Sequence, residues 1–249
     1  MLLTNWLRSR KLEEDFDIGS LVISVDSGED EEFEYVVLER EDVLEACPEG
    51  DIERLTSFVV PEGTEVIGIE AFSGAINLRK VVIPEGVYVI SIDAFYDCRA
   101  LENLRLPSSL KCIDNGAFEG CRGMLKLRIP DGVELIGFEA FKDCAFERLV
   151  IGNGVEEIEE SAFQNCRRMQ SVSFGKGIRY VRRRAFEGCR SLKTIRFANR
   201  APLLSLEQDS FKGTKRLKSL KLPRRYRECP PYGELQQAFV DSNIYFYSR

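Results

Sequence analysis

Five of the eight cysteines recur at nearly constant spacing: Cys98, Cys121, Cys144, Cys166 and Cys189. A ladder of thiols is a candidate for metal binding or disulfide chemistry. Three other groups invite a chemical reading. Gly152-Asn153-Gly154 and Gly175-Lys176-Gly177 look like phosphate-cradling loops. Glu156, Glu157, Glu159 and Glu160 cluster acid, while Arg182, Arg183 and Arg184 cluster base. The chain contains no histidine. That removes Ser-His-Asp triads, Cys-His dyads, HExxH zinc sites and the usual general base near neutral pH. The expectation is that the protein is not an enzyme and has no catalytic, cofactor-binding or metal-binding residue.

Each group has a plainer explanation once the elements that carry it are considered. Ala-Phe recurs at Ala71-Phe72, Ala94-Phe95, Ala117-Phe118, Ala140-Phe141, Ala162-Phe163 and Ala185-Phe186, with a degenerate Ser210-Phe211. The steps are 23, 23, 23, 22, 23 and 25 residues, and a period of this size is that of a solenoid whose repeats stack on their neighbours. Aligned on Ala-Phe, seven repeats span 59–220. Their shared line is x-Ile-Pro-x-Gly-Val-x-x-Ile-x-x-x-Ala-Phe-x-x-Cys-x-x-Leu-x-x-Leu. The cysteine slot holds Ala75 and Thr214 in the outer repeats, so it selects small size, and no Cys-x-x-Cys pair supports zinc. The Gly-x-Gly loops occupy the slot of Pro84-Glu85-Gly86 and lack the Gly-Lys-Ser/Thr of a phosphate loop. Repeat arithmetic pairs Glu156 with Arg179, Glu159 with Arg182 and Glu160 with Arg183 as cross-rung ion pairs.

The unit predicts a mostly β repeat solenoid of the α/β type. One parallel strand per repeat carries leucines inward. A proline-glycine turn follows, with Pro second and Gly fourth, and then a second short extended segment. Ala-Phe packs at a tight helical or 3₁₀ corner, because 23 residues leave no room for a long helix. The seven phenylalanines should form an internal spine, with a local irregularity where one residue is missing between Cys144 and Phe146. Residues 1–58 read as an acidic N-terminal cap, with strands at 21–25 and 33–38 and a helix at 41–47. Residues 221–249 read as a C-terminal cap, with a helix at 233–240 and an aromatic strand at 244–247.

These residues resemble the BspA-like leucine-rich repeats over about 59–222, through the Ile-Pro…Ile…Ala-Phe…Cys…Leu skeleton. The resemblance implies a right-handed superhelix and non-catalytic binding. Many family members look like bacterial cell-surface adhesins or host-interaction proteins, which makes a surface role the alternative function. The N-terminus lacks a signal-peptide pattern, there is no Asn-x-Ser/Thr sequon, and no apolar run spans a bilayer. The chain as given therefore reads as cytoplasmic; a removed leader would make it secreted or surface-bound.

Charge separates along the chain. Residues 1–58 hold 17 acidic and 5 basic side chains, and residues 167–249 hold 6 acidic and 20 basic. This favours an acidic partner for the C-terminal half, or self-association. The outward positions of the leucine strands contain no acid: Lys80 and Val82, Asn103 and Arg105, Lys126 and Arg128, Arg148 and Val150, Ser171 and Ser173, Thr194 and Arg196, Ser219 and Lys221. The expected function is a scaffold that binds a protein with an acidic or polar surface through a basic concave sheet. The expected contacts are Lys80, Asn103, Arg105, Lys126, Arg128, Arg148, Arg196 and Lys221. No small-molecule substrate is expected. Nucleic-acid binding ranks lower, because the aromatics fall at core positions and do not interleave with the basic ones.

Overall fold

The computed structural model describes residues 22–24, 32–102, 104–228 and 231–244. The repeats build three ladders along the solenoid, of which the first is broken once. The first is the leucine sheet. Ser57–Val59 pairs in parallel with Lys80–Val82. Farther along, Lys126–Arg128, Arg148–Val150, Ser171–Phe174, Thr194–Phe197 and Ser219–Lys221 form a five-stranded parallel sheet. The second ladder is an eight-stranded parallel sheet of two-residue strands, from Val37–Leu38 through Cys112–Ile113 to Ser205–Leu206. Strand alternation turns Leu127, Leu149, Val172 and Ile195 inward on the first sheet and Ile67, Ile90, Ile136 and Ile158 inward on the second.

The third ladder is the Ala-Phe corner. Each Phe amide donates to the carbonyl of the small residue on the next rung, from Phe72 to Ala94 through Phe186 to Ser210, at 2.7–2.8 Å. Within a corner the bonds are of the i to i+3 kind, as from Ala75 N to Phe72 O at 3.0 Å. They do not grow into a helix, because left-handed residues break each corner. Asp97, Asp143 and Asn165 take that conformation at one repeat position, which Gly74, Gly120, Gly188 and Gly213 share. Among the described residues, α-helix is confined to the ends, at Arg40–Glu45, Arg224–Glu228 and Tyr232–Ala238.

The core is a column of rings. Phe72, Phe95, Phe118, Phe141, Phe163, Phe186 and Phe211 are fully buried. They stack with neighbouring centroids 4.8–5.1 Å apart and planes within 1–8°. Burial of each ring contributes roughly 1.5–3 kcal/mol relative to exposure. The stack continues beyond the seven repeats onto Phe239, 4.9 Å from Phe211. Ala238-Phe239 is thus an eighth Ala-Phe corner, and Phe211 N donates to Ala238 O at 2.8 Å as in every other rung. Asp241 keeps the left-handed conformation that this corner requires.

The repeat also reaches back into the N-terminal region. Val37–Leu38 is the first strand of the second sheet, and Ser57–Val59 opens the leucine sheet. The strand expected over 33–38 is therefore two: Glu32–Glu34 pairs antiparallel with Val22–Ser24, and Val37–Leu38 turns parallel to the solenoid. The aromatic strand expected at 244–247 lies largely outside the described residues. The proline turn closes one residue later than expected. Thr64 N bonds Pro61 O and Val133 N bonds Pro130 O, both at 3.3 Å, so proline stands first and glycine third. Gly63 and Gly86 there have positive φ, as the third residue of a type II turn requires. At the shortened repeat, Phe146 fills the slot that Leu101 fills elsewhere. Its ring meets Phe141 and Phe163 edge-on, each at 6.1 Å.

Candidate binding surface

The groups that suggested chemistry are used by the fold. Each ladder cysteine is buried and unbridged, and its Sγ donates to a Phe carbonyl of the preceding rung at 3.1–3.3 Å, from Cys98 on Phe72 to Cys189 on Phe163. Burial pushes the thiols of Cys121, Cys144 and Cys166 upward, away from the reactive thiolate. The slot therefore asks for a small side chain, as Ala75 shows, and cysteine adds a weak donor to it. The glycine loops are places of close approach. A β-carbon at Gly152 would lie 2.2 Å from Pro130 O, and one at Gly175 would lie 2.2 Å from Gly152 O. Their amides are also committed, since Asn153 N donates to Asp131 Oδ1 at 3.0 Å and Lys176 N to Asn153 Oδ1 at 3.1 Å.

The acid and base clusters pair only partly as expected. Arg179 meets Glu156 at 3.5 Å. Arg182 does not pair with Glu159. It bridges Glu157 and, at 2.8 Å, Glu207, and lies over the Tyr180 ring at 4.7 Å. Arg183 makes no pair with Glu160; its amide donates to Glu207 Oε2 at 3.0 Å. Register explains the change. Glu157 and Glu159 lie on one side of the same extended segment, so Arg182 has a diagonal acid below and an in-line acid, Glu207, above. Elsewhere the same pattern links Lys111 to Glu134 at 3.7 Å and Lys142 to Glu119 at 3.1 Å. These pairs compensate much of the outward charge around the second sheet, while the corner cations Arg122, Arg167 and Arg190 form no ion pair among the described residues.

The leucine sheet is different. In register, Lys126 lies beside Arg148 and Arg128 beside Val150, and Arg196 lies beside Lys221. All five of these cations, together with Lys80 and Arg105, are exposed. Among the described residues only Arg128 of the predicted contacts has a carboxylate partner, Asp131 at 3.7 Å. The face is also graded. Val59 and Val82 make its first end apolar, the centre is basic, and Ser171, Ser173 and Thr194 make the next stretch hydroxylic. Asn103 lies outside the described residues. Its neighbours Leu104 and Arg105 join no strand, so the leucine sheet is interrupted between Lys80–Val82 and Lys126–Arg128. The ladder bond that Val60, Ile129 and Ile151 each donate to the next rung has no counterpart from Ile83 or Leu106.

Two depressions flank the interruption. One, of about 850 Å³, is lined by Arg79, Arg99, Arg105, Arg122, Lys126 and Arg168, with Glu102, Leu104 and Leu125. The other, of about 490 Å³, runs past Arg105 to Arg128 and Asp131 and includes Glu85. The Glu85 carboxylate is held below the usual range, first by the Ser108 amide and then by the Ser108 hydroxyl. The structure thus brings Arg105, Lys126 and Arg128 to one place and leaves Lys80, Arg196 and Lys221 farther along the sheet. Sequence reasoning missed Arg79, Arg99, Arg122 and Arg168. A signal for two of them was present: the slot after the cysteine repeats base in Arg99, Arg122, Arg167, Arg190 and Lys215.

Among the described residues, no group of three or more Cys, Asp or Glu is placed to hold a metal ion. No helix among them is long and apolar enough to cross a membrane. The sequence pattern of the BspA type leucine rich repeat region matches residues 51–169 and 134–233, in six copies. Among solved structures, the chain is similar to a Treponema pallidum (T. pallidum) leucine-rich repeat protein at 25% identity. The match covers 76% of this chain and 87% of that one, with a TM-score of 0.62. It also shares its fold with the pneumococcal vaccine antigen PcpA at 21% identity, over 78% of this chain and 42% of that one, with a TM-score of 0.52. No curated protein matches. With three ladders of 23-residue units and a family pattern across most of its length, the chain belongs to the BspA type leucine-rich repeat family.

Proposed function

We propose that the protein is a non-catalytic scaffold that binds an acidic or polar surface of another protein through the outward side of its leucine sheet, read as the concave side of the solenoid. The observation that carries this reading is the uncompensated charge of that side. Around the second sheet the fold pairs Lys111, Arg179 and Arg182 with acids, yet Lys80, Arg105, Lys126, Arg148, Arg196 and Lys221 form no ion pair among the described residues. Ladder bonds hold these groups ready on every strand except at Arg105, which joins none, so binding would have little to order first. Lysine and arginine would then supply steering and register. A nucleic-acid ligand is a poorer fit, because the exposed rings Tyr88, Tyr96 and Phe138 lie off the leucine strands and are not interleaved with their cations for base stacking.

The test is affinity capture from the native source at low and high salt, comparing the wild type with Arg105→Glu/Lys126→Glu/Arg128→Glu. The reading expects specific protein captured at low salt, lost at high salt, and absent from the variant. Capture unchanged by the triple reversal would overturn it.

A further inference from the structure

We infer that the depression beside Leu104 and Arg105, where the leucine sheet is interrupted, is the docking point for a short acidic and apolar peptide segment of the partner, an inference that rests on the scaffold reading above. Six cations from four rungs converge on the depression of about 850 Å³. Three of them are already in ion pairs: Arg79 with Glu102 at 3.4 Å, Arg99 with Asp97 at 2.6 Å and Arg168 with Glu147 at 3.3 Å. Arg105, Arg122 and Lys126 form no ion pair among the described residues, although Arg105 shares the neighbouring depression with Glu85, and they set the net charge of the site.

The floor is apolar. Leu104 is half-buried, and Leu125 is 49% exposed. Leu125 stands in a slot that is polar in the other six repeats, as Arg79, Glu102, Glu147, Gln170, Lys193 and Lys218. A solvent-facing leucine inside a ring of cations fits a ligand that carries carboxylates and aliphatic side chains together. Guanidinium groups bind carboxylates in two-point contacts, and the cavity has the size of sites that enclose a compact ligand.

A continuous polyanion fits less well. Its cationic track would end at Ser171, Ser173 and Thr194 on the following rungs, no aromatic ring lines the depression, and Leu104 and Leu125 would stay uncovered.

The test titrates the full chain into a fluorescein-labelled decapeptide of alternating Glu and Leu, read by anisotropy at about 0.15 M salt, where charges more than about 8 Å apart are largely screened. Arg105→Glu/Arg122→Glu should weaken binding at least about tenfold. Leu125→Ser should weaken it about fivefold through lost apolar contact. The remote pair Arg196→Glu/Lys221→Glu should change it less than about twofold. Thermal unfolding checks that each variant is folded. Equal losses at the central and remote pairs would overturn this location and leave the wider face as the binding surface. Failure of the wild type to bind the peptide would overturn the inference, while the capture experiment judges the scaffold reading separately. An oligothymidylate that binds as tightly, and is indifferent to Leu125→Ser, would overturn the peptide in favour of a polyanion.

Discussion

The two sheets of this solenoid are built by the same repeat and differ in what they leave unfinished. The second sheet runs unbroken through eight strands from Val37 to Leu206, and its flanking charges meet one another, Lys111 with Glu134, Glu156 with Arg179 and Arg182 with Glu157 and Glu207. The leucine sheet is interrupted at Leu104 and Arg105 and presents cations with no acid among its outward positions. A face whose charges cancel is explained by stacking alone. A face whose charges remain, with Lys126 beside Arg148 and Arg196 beside Lys221, gains nothing from stacking and points to something outside the chain.

That contrast can be broken at several strengths. The largest effect belongs to the spine that both sheets share. Phe141→Ala removes a ring packed between Phe118 and Phe163 and should cost about 3–5 kcal/mol in denaturant unfolding. Hydrogen exchange should rise in both sheets; loss of protection in only one would show that they fold independently. Gly175→Ala drives a β-carbon onto Gly152 O in the turn that joins the sheets, and should cost about 1–3 kcal/mol.

Asp114, at the end of a second-sheet strand, is 1% exposed, and burial raises its carboxyl above the usual range. A raised carboxyl means that the folded state resists the charged form. The penalty is therefore present at neutral pH and relieved as pH falls through the folded value. Asp114→Asn should raise the melting temperature at pH ~7, with the gain shrinking in acid; a gain constant with pH would contradict the cause. Arg182→Met should cost less than about 1 kcal/mol, because its pairs with Glu157 and Glu207 are partly exposed. Arg105→Glu/Lys126→Glu/Arg128→Glu should change stability least, by about 0.5 kcal/mol or less at each site.

What was readable in the sequence follows from which interactions repeat. The interval between Ala-Phe copies carried the spine, the corners and the small size of the cysteine slot, because identical units stacked by translation place identical residues one above another. Ala238-Phe239 was just as visible but falls 28 residues after Ser210-Phe211, beyond one helix and at the end of a second, and a fixed ruler passed over it. The partners of Arg182 were not readable. Arithmetic supplies the in-line neighbour, whereas a long side chain chooses between that and the diagonal one. The interruption at Leu104 and Arg105 was not readable either. Leu104 and Leu106 obey the inward pattern, and only the ladder bonds missing at Ile83 and Leu106 reveal that this rung leaves the sheet. Of the expected contacts, the acid-free columns were legible as a strip, while their gathering around Arg105 required the corner arginines to be placed in space.

The central claim is that the unpaired cations of the leucine sheet serve a partner and not the fold. It is tested most directly by measuring, at about 0.15 M salt, the affinity of the wild type and of Arg105→Glu/Lys126→Glu/Arg128→Glu for the same Glu-Leu peptide. The account predicts an affinity loss of at least about tenfold in a variant with an unaltered unfolding midpoint. Equal affinity in the two proteins, or a variant that loses the peptide only because it has unfolded, would contradict it.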